Sequence, residues 1–245
     1  MARKYHSPTS INTYLRCPRK YFLRYIKRLK EKPSIYLVRG KAVHQALAEF
    51  AGLGIGTMTG TEQMMETLMA LYDEAWYKQD ADIQALAMPA AELDDFHQEG
   101  ALMLQGWLQR NQEKLQKGGQ DSDTEVKLFS ARHGVMGIID VIKRRNGHVC
   151  VLDYKTSQRD EITPDIKVQM AIYALLHQDK FGKAPDLVAI DFLKQGKERR
   201  FKVTDTLLRH ARNLCRDIHH KTASSDERDY PCTCGGWCAK DFITV

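Results

Sequence analysis

The dipeptide Asn146-Gly147 constrains the fold of this chain more than any other local feature. Asn-Gly is the strongest short signal for a two-residue β-hairpin turn, and it separates two apolar stretches at residues 135–145 and 148–155. A two-residue turn fixes the register of the two strands, so we expect Arg145 to lie opposite His148.

Two carboxylates are predicted to meet across this hairpin. Counting back from the turn places Asp140 directly opposite Asp153, with their Cβ atoms about 5 Å apart. Like charges this close, each within an apolar strand, destabilise the pair unless an opposite charge compensates. Lys155 lies two residues beyond Asp153, so strand alternation puts its ammonium group on the same face as both acids. We therefore expect the three groups to converge.

This arrangement suits hydrolysis of a phosphodiester bond. Carboxylate oxygens bind Mg²⁺, the metal polarises the phosphate and activates water, and a nearby ammonium group orients that water or stabilises negative charge. The alternative is a structural Asp153–Lys155 pair beside a turn, and the opposed Asp140 favours the catalytic interpretation. A β-bulge between the turn and the acids would break the predicted register.

The remaining sequence predicts a mixed α/β chain whose first half is α-helical. Ser7 and Pro8 open a helix that Pro18 interrupts after Cys17, and a second helix follows to about Lys30. Glycines mark a loop at 52–60, and those at 118–119 mark the change from a helical to a strand-like sequence pattern. Further helices are expected at about 40–53, in two parts of 61–117 around Met88-Pro89, at 164–180 and at 204–220. Further strands are expected at 124–130, 186–193 and 199–203.

We expect one domain over residues 1–245. It would comprise a mostly helical region at about 8–118, a catalytic sheet core at about 124–220 and a cysteine-containing tail at 221–245.

Composition permits a polyanionic partner without requiring one. Lys and Arg number 37 against 31 Asp and Glu, which gives a net charge of +6 and a pI near 8.9. Eight of the basic residues cluster early, and either a solvated helix face or a phosphate-binding track explains them: Arg16, Arg19, Lys20, Arg24, Lys27, Arg28, Lys30 and Lys32. No apolar run approaches the roughly 20 residues of a membrane helix, and the first residues lack the apolar stretch of a secretory signal. We therefore expect a cytoplasmic location and no membrane partner.

Five motifs in order resemble the RecB-like branch of the PD-(D/E)XK nucleases, a group similar to CRISPR-associated adaptation nucleases and to nuclease domains of recombination helicases. They are SPTSINTYLRCPRKYFLRYI near the start, GKAVH ending at His44, GIIDVI, VLDYKTS, and a helix bearing Gln169 and Tyr173. The resemblance implies a restriction-endonuclease-like fold, in which helices flank a central mixed sheet.

The same resemblance implies roles for individual residues. His44, Asp140, Asp153 and the backbone carbonyl of Tyr154 would bind Mg²⁺ or Mn²⁺, and Lys155 would be the catalytic lysine. Imidazole is an acceptable ligand for Mn²⁺. By itself, His44 would be interpreted as an ordinary helical histidine.

Two further groups are expected to support the site. Gln169 and Tyr173 lie four residues apart and share a helix face. Either Tyr173 packs in the core and Gln169 is solvated, or, as the resemblance implies, both organise the active site and meet the DNA strand. Glu125, on the preceding strand, is expected to approach the site.

Cysteines concentrate near the C-terminus at Cys232, Cys234 and Cys238, while Cys17 lies in the Cys-Pro break. In a reducing compartment this favours metal binding over disulfides. The resemblance implies a four-iron four-sulfur (4Fe–4S) cluster, but the spacing departs from the family pattern, with gaps of one and three residues where two and five are common. Zinc and no metal remain alternatives. Cys150 and Cys215 are interpreted as ordinary core or surface thiols.

The predicted function is Mg²⁺- or Mn²⁺-dependent hydrolysis of DNA, most simply by an exonuclease acting on single strands or frayed ends in repair, recombination or processing. Arg19 and Lys20 belong to the expected phosphate path. Tyr21, Phe22 and Tyr25 would stack on bases, with packing of Phe22 in the core as the alternative for that residue. The alternatives are a nuclease that needs a protein partner in a larger DNA-processing complex, and a DNA-binding module that does not cleave.

Overall fold

The structure is a computed structural model, and it describes residues 4–53, 60–116 and 121–243. Most of the glycine loop predicted at 52–60 and the predicted boundary at 118–119 lie outside these residues. The order of elements is helices, three antiparallel strands, helix, two strands and helix, which confirms the predicted mixed α/β class.

The first half is α-helical, as predicted. Its helices are α1 (Pro8–Arg16), α2 (Pro18–Tyr21), which continues as a π-helical turn (Phe22–Ile26), α3 (Ile35–Gly52), α4 (Thr61–Tyr77), α5 (Asp80–Leu86) and α6 (Ala90–Gln116). The Ser7 side chain caps α1 by accepting a hydrogen bond from the Ser10 backbone N–H, and Pro18 begins α2. The second helix, including its π-helical turn, ends at Ile26, which is earlier than the predicted Lys30. Helix α3 begins at Ile35, five residues before the predicted position 40.

The second half contains the sheet. Its elements are β1 (Asp121–Ser130), β2 (Val135–Arg145), β3 (His148–Lys155), α7 (Pro164–Phe181), β4 (Leu187–Phe192), β5 (Lys197–Lys202) and α8 (Asp205–Lys221). The five strands lie in chain order, and the β3–β4 pair is parallel while the other pairs are antiparallel. Helix α7 supplies the crossover that a parallel pair requires. The predicted central mixed sheet is thus confirmed.

The hairpin forms as the sequence predicts. Asn146 and Gly147 both adopt positive φ, at 50° and 76°, which is what a type I′ turn requires. Arg145 lies opposite His148, and the register continues to Val141 opposite Leu152. The predicted register is confirmed over these residues.

The sheet separates two apolar clusters. One lies between the sheet and α1, α7 and α8, and includes Ile139, Val151 and Ile190. The other lies between the sheet and α3, α4 and α6, and includes Val141, Leu152 and Ala189. Successive residues of β3 and β4 face opposite layers, while in β2 this alternation is interrupted between Ile139 and Val141, so both sheet faces are buried over the middle strands. The middle of β2 and the end of β3 lie between α3 and α7.

Two short 3₁₀ turns, Glu227–Asp229 and Trp237–Asp241, lie in the C-terminal segment. This segment returns to the chain start, where Glu31 pairs with Phe242. None of the helices within the described ranges has the length and apolar character needed to cross a membrane.

Candidate active site

The candidate site lies where the β2–β3 ladder ends. Asp140 and Asp153 are the next residues beyond the Val141–Leu152 pair, and both are buried within the strands, at 8% and 1% exposure. Lys155 ends β3, and its Nζ lies 2.6 Å from Oδ2 of Asp153. An ammonium group this close offsets part of the cost of burying the carboxylate.

Gln169 connects the acid and the base from α7. Its Oε1 accepts a hydrogen bond of 2.7 Å from Lys155 Nζ, and its Nε2 donates one of 2.8 Å to Asp153 Oδ1. The same Nε2 donates to the Tyr173 hydroxyl at 3.0 Å, one helical turn further along. Gln169 therefore lies at the site and is not the solvated residue of the alternative interpretation, while Tyr173 packs in the core, as that interpretation expected, and also contacts Gln169 through its hydroxyl.

His44 approaches from α3 on the other side. Its Nδ1 lies 3.1 Å from Oδ2 of Asp140, which also accepts a hydrogen bond of 2.8 Å from the backbone N–H of Tyr154. Burial disfavours the charged imidazole, but the Asp140 carboxylate outweighs burial and raises the pKa of His44. Burial likewise opposes ionisation of Asp140, while His44 and the Tyr154 N–H outweigh it and lower the pKa of Asp140.

Asp153 differs from Asp140 in its electrostatics. Burial raises the pKa of Asp153 to about 6, with Lys155 opposing the rise and the Asp140 charge adding to it. The two carboxylates therefore lie close enough to repel each other, as the hairpin register predicts. An additional positive charge beside them would favour the ionised form of both.

Glu125 also approaches the acids, as expected from its strand. It has a positive φ of 50° in the middle of β1, between the pairs Thr124–Val141 and Val126–Ile139. Burial raises the pKa of Glu125, and the charge of Asp140 raises it further. Positive φ is uncommon for a residue other than glycine, and such strain concentrates at functional sites.

Comparison with known proteins identifies the family to which this geometry belongs. The model of the PD-(D/E)XK nuclease superfamily matches residues 5–240. The chain belongs to this superfamily. The motifs that suggested the resemblance and the site that the strands and helices form lie within the matched residues.

One solved structure supports the fold. A protein from Eubacterium rectale described as a "putative exonuclease" is 14% identical to this nuclease, with a TM-score of 0.61 over 99% of this chain and 90% of that one. The structure of SSO0001 is 25% identical over 60% of this chain and 68% of that one, with a TM-score of 0.29, which is too low to support an inference. Comparison with curated proteins finds no match.

A polar groove of about 590 Å³ leads away from the site of the nuclease. It begins at Lys155 and Gln169, and five of its lining residues are cations: Arg16, Lys20, Arg24, Lys155 and Arg159. Two acids, Glu161 and Asp165, and several hydroxyl and amide side chains complete the lining. Cations at this density suit a phosphate backbone.

The early basic residues are arranged differently from the phosphate path that the sequence predicted. Lys20 lines it but also pairs with Asp241 at 2.7 Å, and Arg19 instead donates to the backbone carbonyl of Tyr230 and to Glu227. Both side chains are thus used, at least in part, to hold the C-terminal segment. The exposed arginines of the groove are Arg16 and Arg159, and the sequence alone did not single out Arg159.

The predicted stacking platform is largely wrong. Tyr21 and Phe22 are buried, at 0% and 1% exposure, and pack with the Tyr230 ring. Their faces cannot receive bases because the core covers them. Tyr25 is half-buried beside Tyr21, with ring centroids 5.0 Å apart.

Arg39 supports the site and was not predicted. It is 1% exposed, pairs with Glu99 and donates a hydrogen bond of 2.9 Å to the carbonyl of Thr156, directly after Lys155. A sequence signal existed, because Arg39 falls four residues after Ile35 and three before Ala42, on the buried stripe of α3. A charged residue on such a stripe is rarely buried without a partner.

The four predicted cysteines also come together. The sulfur atoms of Cys17, Cys232, Cys234 and Cys238 all lie within 4.8 Å of one another, which suits a metal site. Cys150 and Cys215 lie elsewhere, in β3 and α8. Burial raises the pKa of both thiols, as expected of ordinary core cysteines.

Proposed function

We propose that this nuclease is a Mg²⁺- or Mn²⁺-dependent deoxyribonuclease of the RecB-like branch, acting as an exonuclease on single-stranded or frayed DNA ends. The observation that carries the proposal is the convergence of Asp140, Asp153 and Lys155 at the head of a cationic groove. The cytoplasmic location expected from the sequence stays a prediction.

The residues present fit a divalent cation. The charge of buried Asp140 raises the pKa of buried Asp153, and the charge of Lys155 lowers the pKa of both carboxyl groups. Oxygen donors from Asp140, Asp153 and the Tyr154 carbonyl, with the His44 imidazole, form a donor set that Mg²⁺ or Mn²⁺ accepts. When bound there, the cation would polarise the phosphate and lower the pKa of the attacking water.

The side chains of the protein would orient the water, stabilise the developing charge and hold the lysine in place. The Lys155 ammonium group would orient the water and stabilise the negative charge that develops on the phosphate. Gln169 would hold that ammonium group in place, because its Oε1 accepts a bond from Lys155 while its Nε2 is fixed by Asp153 and Tyr173. Arg39 would fix the chain that follows Lys155 through the Thr156 carbonyl.

The groove supports a single strand as the substrate. It contains cations for the phosphates and the exposed polar side chains of Ser157 and Gln158 for base edges. Asn12 is buried in the lining and donates a hydrogen bond to the backbone carbonyl of Asp165. A strand bound in the groove would contact both the exposed Arg16 and Lys155.

The test is cleavage of end-labelled DNA by the purified protein with Mg²⁺ or Mn²⁺. Linear single strands, frayed duplexes, blunt duplexes and a circular single strand are compared, because a circle offers no end to an exonuclease. Asp153→Asn and Lys155→Ala are expected to lower the rate by about 10²–10⁴-fold. Asp94→Asn and Lys202→Ala, at exposed positions of α6 and β5, are matched controls.

Each outcome has a distinct meaning. Equal cutting by wild type and Asp153→Asn would exclude this site as the catalytic centre. Cutting of the circle would exclude a strict exonuclease while leaving the site intact. Cleavage that appears only with an added partner protein would replace the proposal with a partner-dependent nuclease, and binding without cleavage under any condition would leave only the DNA-binding module.

A further inference from the structure

The four-cysteine group is too compact for the cluster that the family resemblance implies. The Cys232 sulfur lies 3.6 Å from the sulfurs of both Cys234 and Cys238, and no pair in the group exceeds 4.8 Å. A disulfide needs about 2.05 Å between sulfurs, so these contacts are not disulfides. A 4Fe–4S cluster places an iron–sulfide cube between its four thiolates, which separates their sulfurs by roughly 6 Å.

A single tetrahedral ion requires much shorter separations. With zinc–sulfur bonds of about 2.3 Å, tetrahedral geometry puts the four sulfurs about 3.8 Å apart. The observed distances fall around this value and below that of the cube. We propose that Cys17, Cys232, Cys234 and Cys238 bind one structural zinc ion, and that this chain does not assemble the iron–sulfur cluster.

Backbone groups around the sulfurs support the thiolate form that zinc needs. The N–H of Gly236 donates to the Cys232 sulfur at 3.3 Å, and the N–H of Cys238 donates to the Cys234 sulfur at 3.2 Å. Amide donors of this kind stabilise thiolates and fix the orientation of metal ligands.

The short loop makes these bonds feasible. Gly235 and Gly236 both have positive φ, at 64° and 86°, a conformation that turns the chain sharply between the second and third C-terminal cysteines. At the other end of the site, the backbone N–H groups of Lys20 and Thr233 lie against the Cys17 sulfur. The unusual one-residue and three-residue gaps are therefore consistent with closure around one ion.

The exposure of the site favours zinc over a single iron. Cys232 is exposed and Cys234 is half-buried, while Cys17 and Cys238 are buried. An iron centre at such a surface would be open to oxidants, whereas zinc has no redox chemistry and binds four cysteines tetrahedrally in structural sites.

The zinc would join the two ends of the chain. Near the site, the Thr233 hydroxyl donates to the Arg16 carbonyl at 2.9 Å, and the Lys32 N–H donates to the Asp241 carbonyl at 2.8 Å. Together with the buried packing of Tyr230 against Tyr21 and Phe22, these bonds hold the two ends together, and the ion would add a cross-link between them.

The test measures metal content directly and does not use cleavage. Full-length protein is purified without oxygen from cells supplied with both iron and zinc, and zinc, iron, acid-labile sulfide and the visible spectrum are measured. We expect a colourless protein with about one zinc per chain and no stoichiometric iron or sulfide. Replacing zinc with Co²⁺ should give the visible absorption of tetrahedral cobalt thiolates.

Variants locate the ion. Cys238→Ser should lose it, while Cys150→Ser, a cysteine in β3, and Asp153→Asn, in the candidate active site, should keep it. Chelation of zinc from the wild type should lower the melting temperature by about 5 °C or more. The wild-type metal content and cobalt spectrum decide the question even where a variant does not fold.

Two results would overturn the proposal. One is about four irons and four sulfides per chain, with the broad absorption of a brown iron–sulfur protein. The other is a folded wild type that holds no metal and melts at the same temperature with and without added zinc. A single iron in place of zinc, bound by the same cysteines, would overturn the choice of metal.

Discussion

Replacing Gln169 with leucine removes the side chain that connects the acid, the base and the tyrosine of the candidate site. The wild-type amide makes three hydrogen bonds, at 2.7 Å from Lys155, 2.8 Å to Asp153 and 3.0 Å to Tyr173. Leucine keeps most of the volume and makes none of them. Lys155 still contacts Asp153 at 2.6 Å, so its charge stays in the site but its ammonium group loses one of two anchors.

The magnitude follows from the bond to the charged partner. A hydrogen bond to an ionised group contributes about 1.5–3 kcal/mol. If the bond from Lys155 to Gln169 serves mainly to hold the ammonium group for the transition state, its loss lowers kcat by about 10- to 150-fold. The apparent KM should change little, because the exposed cations of the groove, Arg16 and Arg159, remain.

The assay is cleavage of an end-labelled single strand under single-turnover conditions, over a range of DNA concentrations with saturating Mn²⁺. Gln178→Leu is the matched control, since Gln178 is on the same helix and its side chain accepts a hydrogen bond from Arg212 of α8. Melting temperatures of both variants show whether the fold is equally affected. A wild-type rate for Gln169→Leu, or equal losses in both variants, would refute the positioning role.

Three further predictions concern the groove, the helix contact and the turn. The double variant Arg16→Ala with Arg159→Ala should raise KM with little change in kcat. In a plot of log Kd for single-strand binding against log salt concentration, its slope should be smaller by about 0.7 per lost phosphate contact. Gly137→Ala should cost about 1–3 kcal/mol in urea unfolding and lower kcat, because a Cβ there lies 3.0 Å from the Tyr173 ring; retained stability and rate would contradict the close packing. Gly147→Ala should cost about 1–2 kcal/mol in the same measurement, because φ is 76° there, and an unchanged midpoint would count against a type I′ turn.

The second half of the fold was the more predictable because its signals are local. The bounds of β2 and β3 agree with the predicted strands, since a two-residue turn and alternating apolar residues fix both ends of each strand. Helix α7 lies between Thr163, whose hydroxyl caps it, and Gly182, which ends it with φ of 74°. Helix caps and tight turns depend on residues that are adjacent in the chain, so they can be predicted from the sequence.

Elements that depend on distant contacts were placed less accurately. Helix α3 begins before Gly40, a residue that weakens a helical pattern, and a Cβ there would lie 3.4 Å from the Thr156 hydroxyl. The burial of Tyr21 similarly depends on Tyr230, more than two hundred residues away in the chain. A local sequence pattern cannot indicate such a distant contact. Tyr21, an aromatic residue among lysines and arginines, was therefore predicted to stack on bases.

The hairpin register counted from Asn146-Gly147 holds up to the candidate active site and is interrupted there. Regular pairing reaches Val141 opposite Leu152 and stops one pair before the acids. There the Asp140 carboxylate, rather than a backbone carbonyl, accepts the hydrogen bond of the Tyr154 N–H. On the other side of Asp140, Glu125 leaves the ordinary strand conformation. The departures from regular pairing thus lie on both sides of the same aspartate. Because strain and broken ladders persist where a site requires them, their position supports Asp140 as a functional residue independently of the sequence motif.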